Sequence, residues 1–233
     1  MLRSDDFFPG WRGVLFNPFY FARAGLLSAV EEMAPCLAGH LLDVGCGGKP
    51  YRRLFNVDAY VGLDMDSAQA RQRGIADCFY DGRRFPFDSD SFDSILCTQV
   101  MEHVFTPDEF LAEIVRVLKP GGKLLLTVPF IWDEHEQPHD FARYSSFGLA
   151  AMLSRHGLRI TRHQKLEADA SVLFQLANAY LYKVLLPRSR FVSLPVTLAF
   201  VPLLNLSGLA ARRLLPSNPD LFLDHAILAE KPS

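Results

Sequence analysis

Cysteine is scarce. Cys36, Cys46, Cys78 and Cys97 form no C-x-x-C motif and sit inside apolar runs. That excludes a zinc ribbon or a disulfide framework and points to buried or site-lining thiols in a reducing compartment. Excess positive charge is also missing: Lys and Arg number 24 against 26 Asp and Glu, a net charge of −2. A nucleic-acid partner is therefore not expected. Charged residues are only 21% of the chain and hydrophobic ones 49%, which excludes wholesale disorder. No internal repeat or low-complexity tract is present. The opening Met1-Leu-Arg-Ser-Asp-Asp6 lacks the basic start and apolar run of a secretory signal, so the expected location is cytoplasmic. Aromatic residues, by contrast, are abundant at 12%, with 19 Phe, and suggest an apolar ligand surface or an apolar appendage. A chain of 233 residues is one large domain, or one domain with an appendage, and can bury a core without cross-links.

Strand and helix signals alternate along the chain. Residues 1–18 read as an irregular lead-in, and Phe19 to Cys36 carries helical spacing. Short apolar runs then mark strands at His40–Gly45, Tyr60–Asp64, Cys78–Tyr80, Phe92–Cys97, Lys123–Val128, Leu158–Leu166 and Leu221–Glu230. A helix is expected from Pro107 to Leu118, opened by Pro107 and Asp108-Glu109 and stopped by Lys119-Pro-Gly-Gly122. Another is expected from Ser146 to Arg155. Alternation of this kind predicts an α/β fold with a mainly parallel sheet. Ligands of such sheets bind beyond the carboxyl ends of the strands.

The strongest signal is Leu41-Leu-Asp-Val-Gly-Cys-Gly-Gly-Lys-Pro-Tyr51, a strand running into glycines, with a helix expected after it. Glycine lets the backbone turn sharply and approach a ligand closely. A dinucleotide fingerprint would place its third glycine at position 50, where the chain has Pro50, and this argues against an NAD-dependent oxidoreductase. Asp64 ends the second strand and can accept from a ribose diol. Asp81-Gly82 ends the third and can accept from an exocyclic amine. The three strand ends describe a nucleoside site without phosphate.

Asp43-Val-Gly-Cys-Gly47, Gly62-Leu-Asp64, Asp81 with Phe85-Pro-Phe87, Ser91-Phe-Asp93, Met101-Glu-His103 and Arg116-Val-Leu-Lys-Pro-Gly-Gly122 together resemble the class I S-adenosylmethionine-dependent methyltransferases of the broad type 11 kind, over roughly residues 38–166. The resemblance implies a Rossmann-like sheet of seven strands, mainly parallel with an antiparallel last strand and helices on both faces. It implies S-adenosyl-L-methionine as cofactor. Gly45 and Gly47 would pass its methionine part in a loop shaped by Asp43 and containing Cys46. Asp64 would hold the ribose, Met65 would lie against the adenine, Asp81 and Gly82 would face its amine, and Thr98 and Gln99 would border the sulfonium. Lys49-Pro50-Tyr51 departs from the family pattern and suggests that Tyr51 or Arg52 faces the acceptor.

Displacement at a sulfonium has a neutral leaving group and needs mainly alignment, with a base added for a hydroxyl or protonated amine acceptor. The stretch from Pro129 to Tyr144 is the candidate acceptor wall. His135 and His139 are base candidates, Asp140 an orienting partner, and Tyr144 completes the set. The alternative is that Asp140, Arg143 and Tyr144 form a hydrogen-bonded corner fixing the loop. No metal is expected, because Pro138 prevents His135 and His139 from sharing a helix face. His103 reads as packing or capping, and Arg23 as a solvated helix face or a contact of the cofactor carboxylate. Pro138-His-Asp-Phe-x-Arg-Tyr144 resembles a segment of members tied to glycan or cell-envelope modification, so the expected acceptor is an oxygen or nitrogen of a small molecule or glycan.

The expected division is a lead-in and helix over 1–36, a cofactor-binding core over 37–166 and 218–233, and an apolar helical insertion over 167–217. Phe191 to Ala211 carries no charge, is flanked by Lys183, Arg188, Arg190 and Arg212-Arg213, and is interrupted by Pro195 and Pro202, which should break a helix. Three readings stay open for residues 168–217: a lid, a homodimer interface, or a peripheral contact with the inner face of a membrane. The rival to an enzyme is a non-catalytic cofactor-binding scaffold that recruits a partner or a membrane through this insertion.

Overall fold

A computed structural model describes residues 7–185 and 190–233; Arg188 and the first six residues lie outside them. Strands β1 (His40–Val44), β2 (Ala59–Met65), β3 (Cys78–Tyr80), β4 (Phe92–Thr98), β5 (Leu118–Pro129), β6 (Arg159–Leu166) and β7 (Asp224–Glu230) form one sheet ordered β3-β2-β1-β4-β5-β7-β6. β1 runs parallel to β2 and β4, β2 to β3, and β4 to β5. β7 is antiparallel: Gly121 N donates to Lys231 O while Ile131 N donates to Leu223 O, so one partner climbs as the other descends. The carboxyl ends of β1 to β5 therefore share one edge, as the resemblance implied.

β1, β4 and β7 are buried almost continuously, as a sheet covered on both faces requires. Leu42, Val44, Ile95, Leu124, Leu126 and Ile227 form its core with Leu111 and Ile114 of helix α4 (Pro107–Val117) and Leu149 and Leu153 of α5 (Ser146–Arg155). α5 begins where Ser145 Oγ accepts from Gly148 N at 3.2 Å. Two local expectations change. Lys119–Gly122 does not separate helix from strand but lies within β5, because Gly121 and Gly122 pair with Lys231 at the end of β7. The glycine loop leads not into an α-helix but into a single 3-10 turn, Arg52–Leu54. Residues 45–58, carrying three glycines and Pro50, leave room for little more before β2 starts.

The chain divides into two compact units. One comprises residues 29–130, 134–164 and 225–233 and holds most of the sheet. The other comprises the N-terminal residues to Ser28 with 131–133 and 165–224, so the lead-in and the apolar insertion fall together. In that second unit, α7 (Arg190–Leu214) packs on α6 (Ser171–Leu185) and on α1 (Trp11–Phe16). α7 continues through Pro195 and Pro202 instead of breaking. Packing and buried amides offset the lost backbone bonds: Asn205 Nδ2 donates to Val14 O and Asn17 O, and Asn178 Nδ2 to Asn205 Oδ1. Gln175 Oε1 accepts from Phe21 N and Ala22 N, in the first turn of α2 (Tyr20–Met33). Among the described residues no helix is long and apolar enough to cross a membrane.

Candidate functional site

The loop after β1 is held by its backbone. Gly45 N and Cys46 N both donate to Leu63 O of β2, at 2.8 and 3.0 Å. Gly45 has φ 68° and Gly47 φ 48°, and a Cβ on Gly45 would collide with Val100. Lys49 closes the far side: its Nζ lies 2.5 Å from Asp77 Oδ2, which also accepts from Gly62 N at 2.7 Å. Tyr51 is buried, and Arg52, exposed, lies over the Tyr60 ring. Below the loop, Asp43 is buried and accepts from Tyr60 OH at 2.6 Å. Burial raises its carboxyl to about 7, with the Tyr60 bond and Lys49 pulling the other way. Burial likewise raises the Cys46 thiol to about 12, so it stays protonated and is no nucleophile.

The next two strand ends follow in order. Asp64 Oδ1 accepts from Met65 N at 2.8 Å. Asp81 Oδ1 accepts from Arg83 N and Arg84 N, bonds that hold its carboxyl below the usual range. Met65 is half exposed, with its sulfur in ordinary contact distance of a Cβ placed on Gly82. Thr98 ends β4 opposite Thr127, and Gln99, at φ 55°, donates to Thr127 O. A Cβ on Gly47 or Gly48 would meet nothing within 4 Å. Gly48 lies outside the left-handed region and is exposed, so neither strain nor packing requires glycine there and its surface is open. S-adenosylmethionine fits this edge: glycines beside open space, then carboxylates at the ends of β2 and β3.

The ends of β4 and β5 differ in kind. Glu102 and His103 lie in a 3-10 turn after β4, Glu102 fully buried. The loop after β5 is tied to them: Phe141 N and Ala142 N donate to Glu102 O, and His103 Nδ1 stands 2.5 Å from His139 O. Asp140 accepts a guanidinium fork from Arg143, at 2.6 and 2.8 Å, and a bond from His135 N at 2.9 Å. The Arg143 fork leads in holding its carboxyl down at about 2. His135 Nδ1 is 3.4 Å from Asp140 Oδ2, and the His135 ring meets that of His103 edge-on at 4.8 Å. Tyr144 is buried, its hydroxyl 3.4 Å from Met101 O; burial raises that hydroxyl to about 12. His139 is exposed, and the contact it offers His103 is its backbone carbonyl. Asp140 thus lies against His135 rather than His139. The meeting of His103 with His135 was missed in the sequence, where only the polar pair Glu102-His103 at a strand end pointed to it. Arg23, in the second unit, stacks on Phe7.

Residues 42–126 match the family model described as a methyltransferase domain. The chain is 32% identical over 127 residues to a ubiquinone biosynthesis O-methyltransferase of Hahella chejuensis, covering 48% of this chain and 52% of that one. It is 37% identical over 98 residues to phthiotriol/phenolphthiotriol dimycocerosates methyltransferase 1 of Mycobacterium ulcerans, covering 37% and 36%. The chain thus spans about half or less of the length of these curated relatives. Among solved structures it is similar to Haemonchus contortus phosphoethanolamine N-methyltransferase 2 in complex with S-adenosyl-L-methionine, with TM-score 0.56 and 17% identity over 99% of this chain and 58% of that one.

Proposed function

We propose, from a chain whose residues 42–126 carry a methyltransferase domain on a class I S-adenosylmethionine-dependent fold, that it methylates an oxygen or nitrogen of a small-molecule or glycan-type acceptor. The observation that carries the reading is the order of groups along one sheet edge: the glycine loop with open space at Gly47 and Gly48, then Asp64 with Met65, then Asp81 with Gly82. In this reading Asp43, Cys46 and the two φ-positive glycines shape the methionine pocket. Asp64 accepts from the ribose hydroxyls, Met65 and Gly82 flank the adenine, and Asp81 accepts from its amine. Thr98 and Gln99 border the reacting carbon.

The bound cofactor supplies an electrophilic methyl on a sulfonium whose departure needs no acid. The chain's own residues align the acceptor and take its proton. His139, exposed beside the wall, and His135, held by Asp140, are the imidazoles available for that proton, while Tyr144 turns its hydroxyl to Met101 O. The relatives' printed names, both methyltransferases, support the class. Ubiquinone biosynthesis and a dimycocerosate also support an acceptor with an apolar portion. Leu198, Phe200, Leu203 and Leu206 of α7 are exposed and support a contact surface in the insertion, for a second copy or the face of a membrane. The four cysteines are free thiols, which supports a cytoplasmic setting.

Calorimetric titration with S-adenosylmethionine and S-adenosylhomocysteine, with NAD as control, tests the reading. Micromolar binding of the first two and none of NAD is expected. Folded protein that binds neither overturns it.

A further inference from the structure

Three ligand-type side chains converge where β4 and β5 end. Glu102, His103 and His135 each bring one ligand atom to within 4.8 Å of the others. We propose that they bind one divalent transition-metal ion, with open positions on the solvent side. One carboxylate with two imidazoles suits ions such as zinc or cobalt that accept nitrogen and oxygen together.

The surroundings favour that use. His103 Nδ1 lies 2.5 Å from His139 O, and a carbonyl can only accept, so Nδ1 carries the proton. The Nε2 lone pair is thereby directed elsewhere, and Nε2 stands 3.7 Å from Glu102 Oε1. Ligands of a tetrahedral ion with bonds of about 2 Å stand roughly 3.4 Å apart, so this pair needs only a small approach. A metal-binding imidazole commonly gives its second N–H to a carbonyl or carboxylate, which fixes the ring. His103 meets a carbonyl and the His135 ring is held against Asp140. Arg143 comes within 3.5 Å of His135 Nδ1, yet its charge is answered by the fork to Asp140. Phe141 N and Ala142 N on Glu102 O lock the two loops together before any ion arrives. The His103 and His135 side chains are 21% and 29% exposed against 0% for Glu102, so the cluster opens to solvent on its imidazole side.

This deepens the methyl-transfer reading and rests on it for the ion's role. An acceptor hydroxyl on the ion would lose its proton to water or to His139. Its oxygen would then form the C–O bond as the C–S bond of S-adenosylmethionine breaks, releasing neutral S-adenosylhomocysteine.

The test is titration of the full chain with Co²⁺, followed by visible absorption, and with Zn²⁺ by calorimetry. One ion per chain is expected, with affinity falling roughly tenfold or more in His103→Asn and in His135→Asn. Far-ultraviolet dichroism shows whether each variant folds, and His40→Ala, at the opposite end of β1, controls for surface histidine. Failure of folded wild type to take up an ion, or equal uptake by the site variants, overturns the proposal. Cofactor calorimetry on the metal-free protein is a separate readout, so S-adenosylmethionine binding without metal uptake would sink this site and leave the methyl-transfer reading standing.

Discussion

Asp43 and Asp140 are two aspartates on one sheet, and their surroundings shift their carboxyls in opposite directions. Asp43, on β1, is buried against a phenol and a glycine loop, and burial raises its carboxyl to about 7. Asp140, after β5, meets a guanidinium fork, and that bond holds it at about 2. The difference extends to their surroundings. The β1–β3 half of the edge meets the cofactor side chiefly with backbone, through N–H bonds onto Leu63 O, positive-φ glycines, and Asp64 and Asp81 accepting from nearby backbone N–H groups. The β4–β5 half is shaped by charged and imidazole side chains. A rigid backbone cradle suits a cofactor of constant shape, whereas a side-chain wall suits the partner that varies among enzymes of one fold.

The sharpest way to break this contrast is Gly45→Ala. The substitution forces a side chain into φ 68° and onto Val100. Strain and overpacking together cost about 3 kcal/mol. The expected result is a large fall in melting temperature and loss of measurable cofactor binding. Gly48→Ala is its counterpart: with an ordinary φ and open space, the melting temperature should hold while calorimetric affinity for S-adenosylmethionine drops. Unchanged affinity in Gly48→Ala would show that the space beside it is not the cofactor's.

Arg143→Ala attacks the other half. It leaves the Asp140 carboxylate, 4% exposed, without its fork. Breaking such a pair costs about 2–3 kcal/mol, discounted from a fully buried pair because Arg143 is 23% exposed. The folded carboxyl is depressed, so its contribution is present above the unfolded value of about 3.9 and is lost as pH falls through about 2. Urea midpoints measured from pH 5 to pH 2 should therefore fall less steeply in Arg143→Ala than in wild type. Parallel curves would remove the fork as the cause.

Asp64→Ala is expected to weaken cofactor binding by about 1–3 kcal/mol, roughly 5–150-fold, with little change in stability, because its bond in the structure is to the adjacent Met65 N. Unchanged calorimetric affinity would defeat the ribose assignment.

How far each half could be read in advance follows from the same physics. The turn at Gly45, Gly47 and the strand-ending Asp64 and Asp81 are local, so residue type and spacing announce them. The β5 extension through Lys119–Gly122 was not readable, because it depends on Lys231 at the far end of the chain. Nor was the continuity of α7 through two prolines, which Asn178 and the N-terminal carbonyls help secure. In the loop after β5 the residue types were legible but not their partners. The sequence left open which of His135 and His139 Asp140 would meet, and it is His135 that lies against the carboxylate. The Asp140–Arg143 corner was open as an alternative from spacing alone, and the fork shows how it forms.

The smallest expected effect returns to Asp43. Its folded carboxyl is raised, so the sign is the reverse of that for Asp140. Between the unfolded value of about 3.9 and the folded value of about 7, the native state holds a proton that the unfolded state has released. Its contribution is fully present below about pH 4 and is lost as pH rises through 7. Asn at this position keeps the shape and still accepts from Tyr60, so Asp43→Asn should fold. It should show a flatter decline in urea midpoint from pH 5 to pH 8 than wild type. Tyr60→Phe separates burial from bonding. Removing the phenol takes away the bond that opposes the shift, so the decline should begin at the same pH, set by the unfolded carboxyl, and run on to higher pH. If both variants follow the wild-type curve, Asp43 is ionised throughout, and the two halves of the edge hold their carboxylates alike.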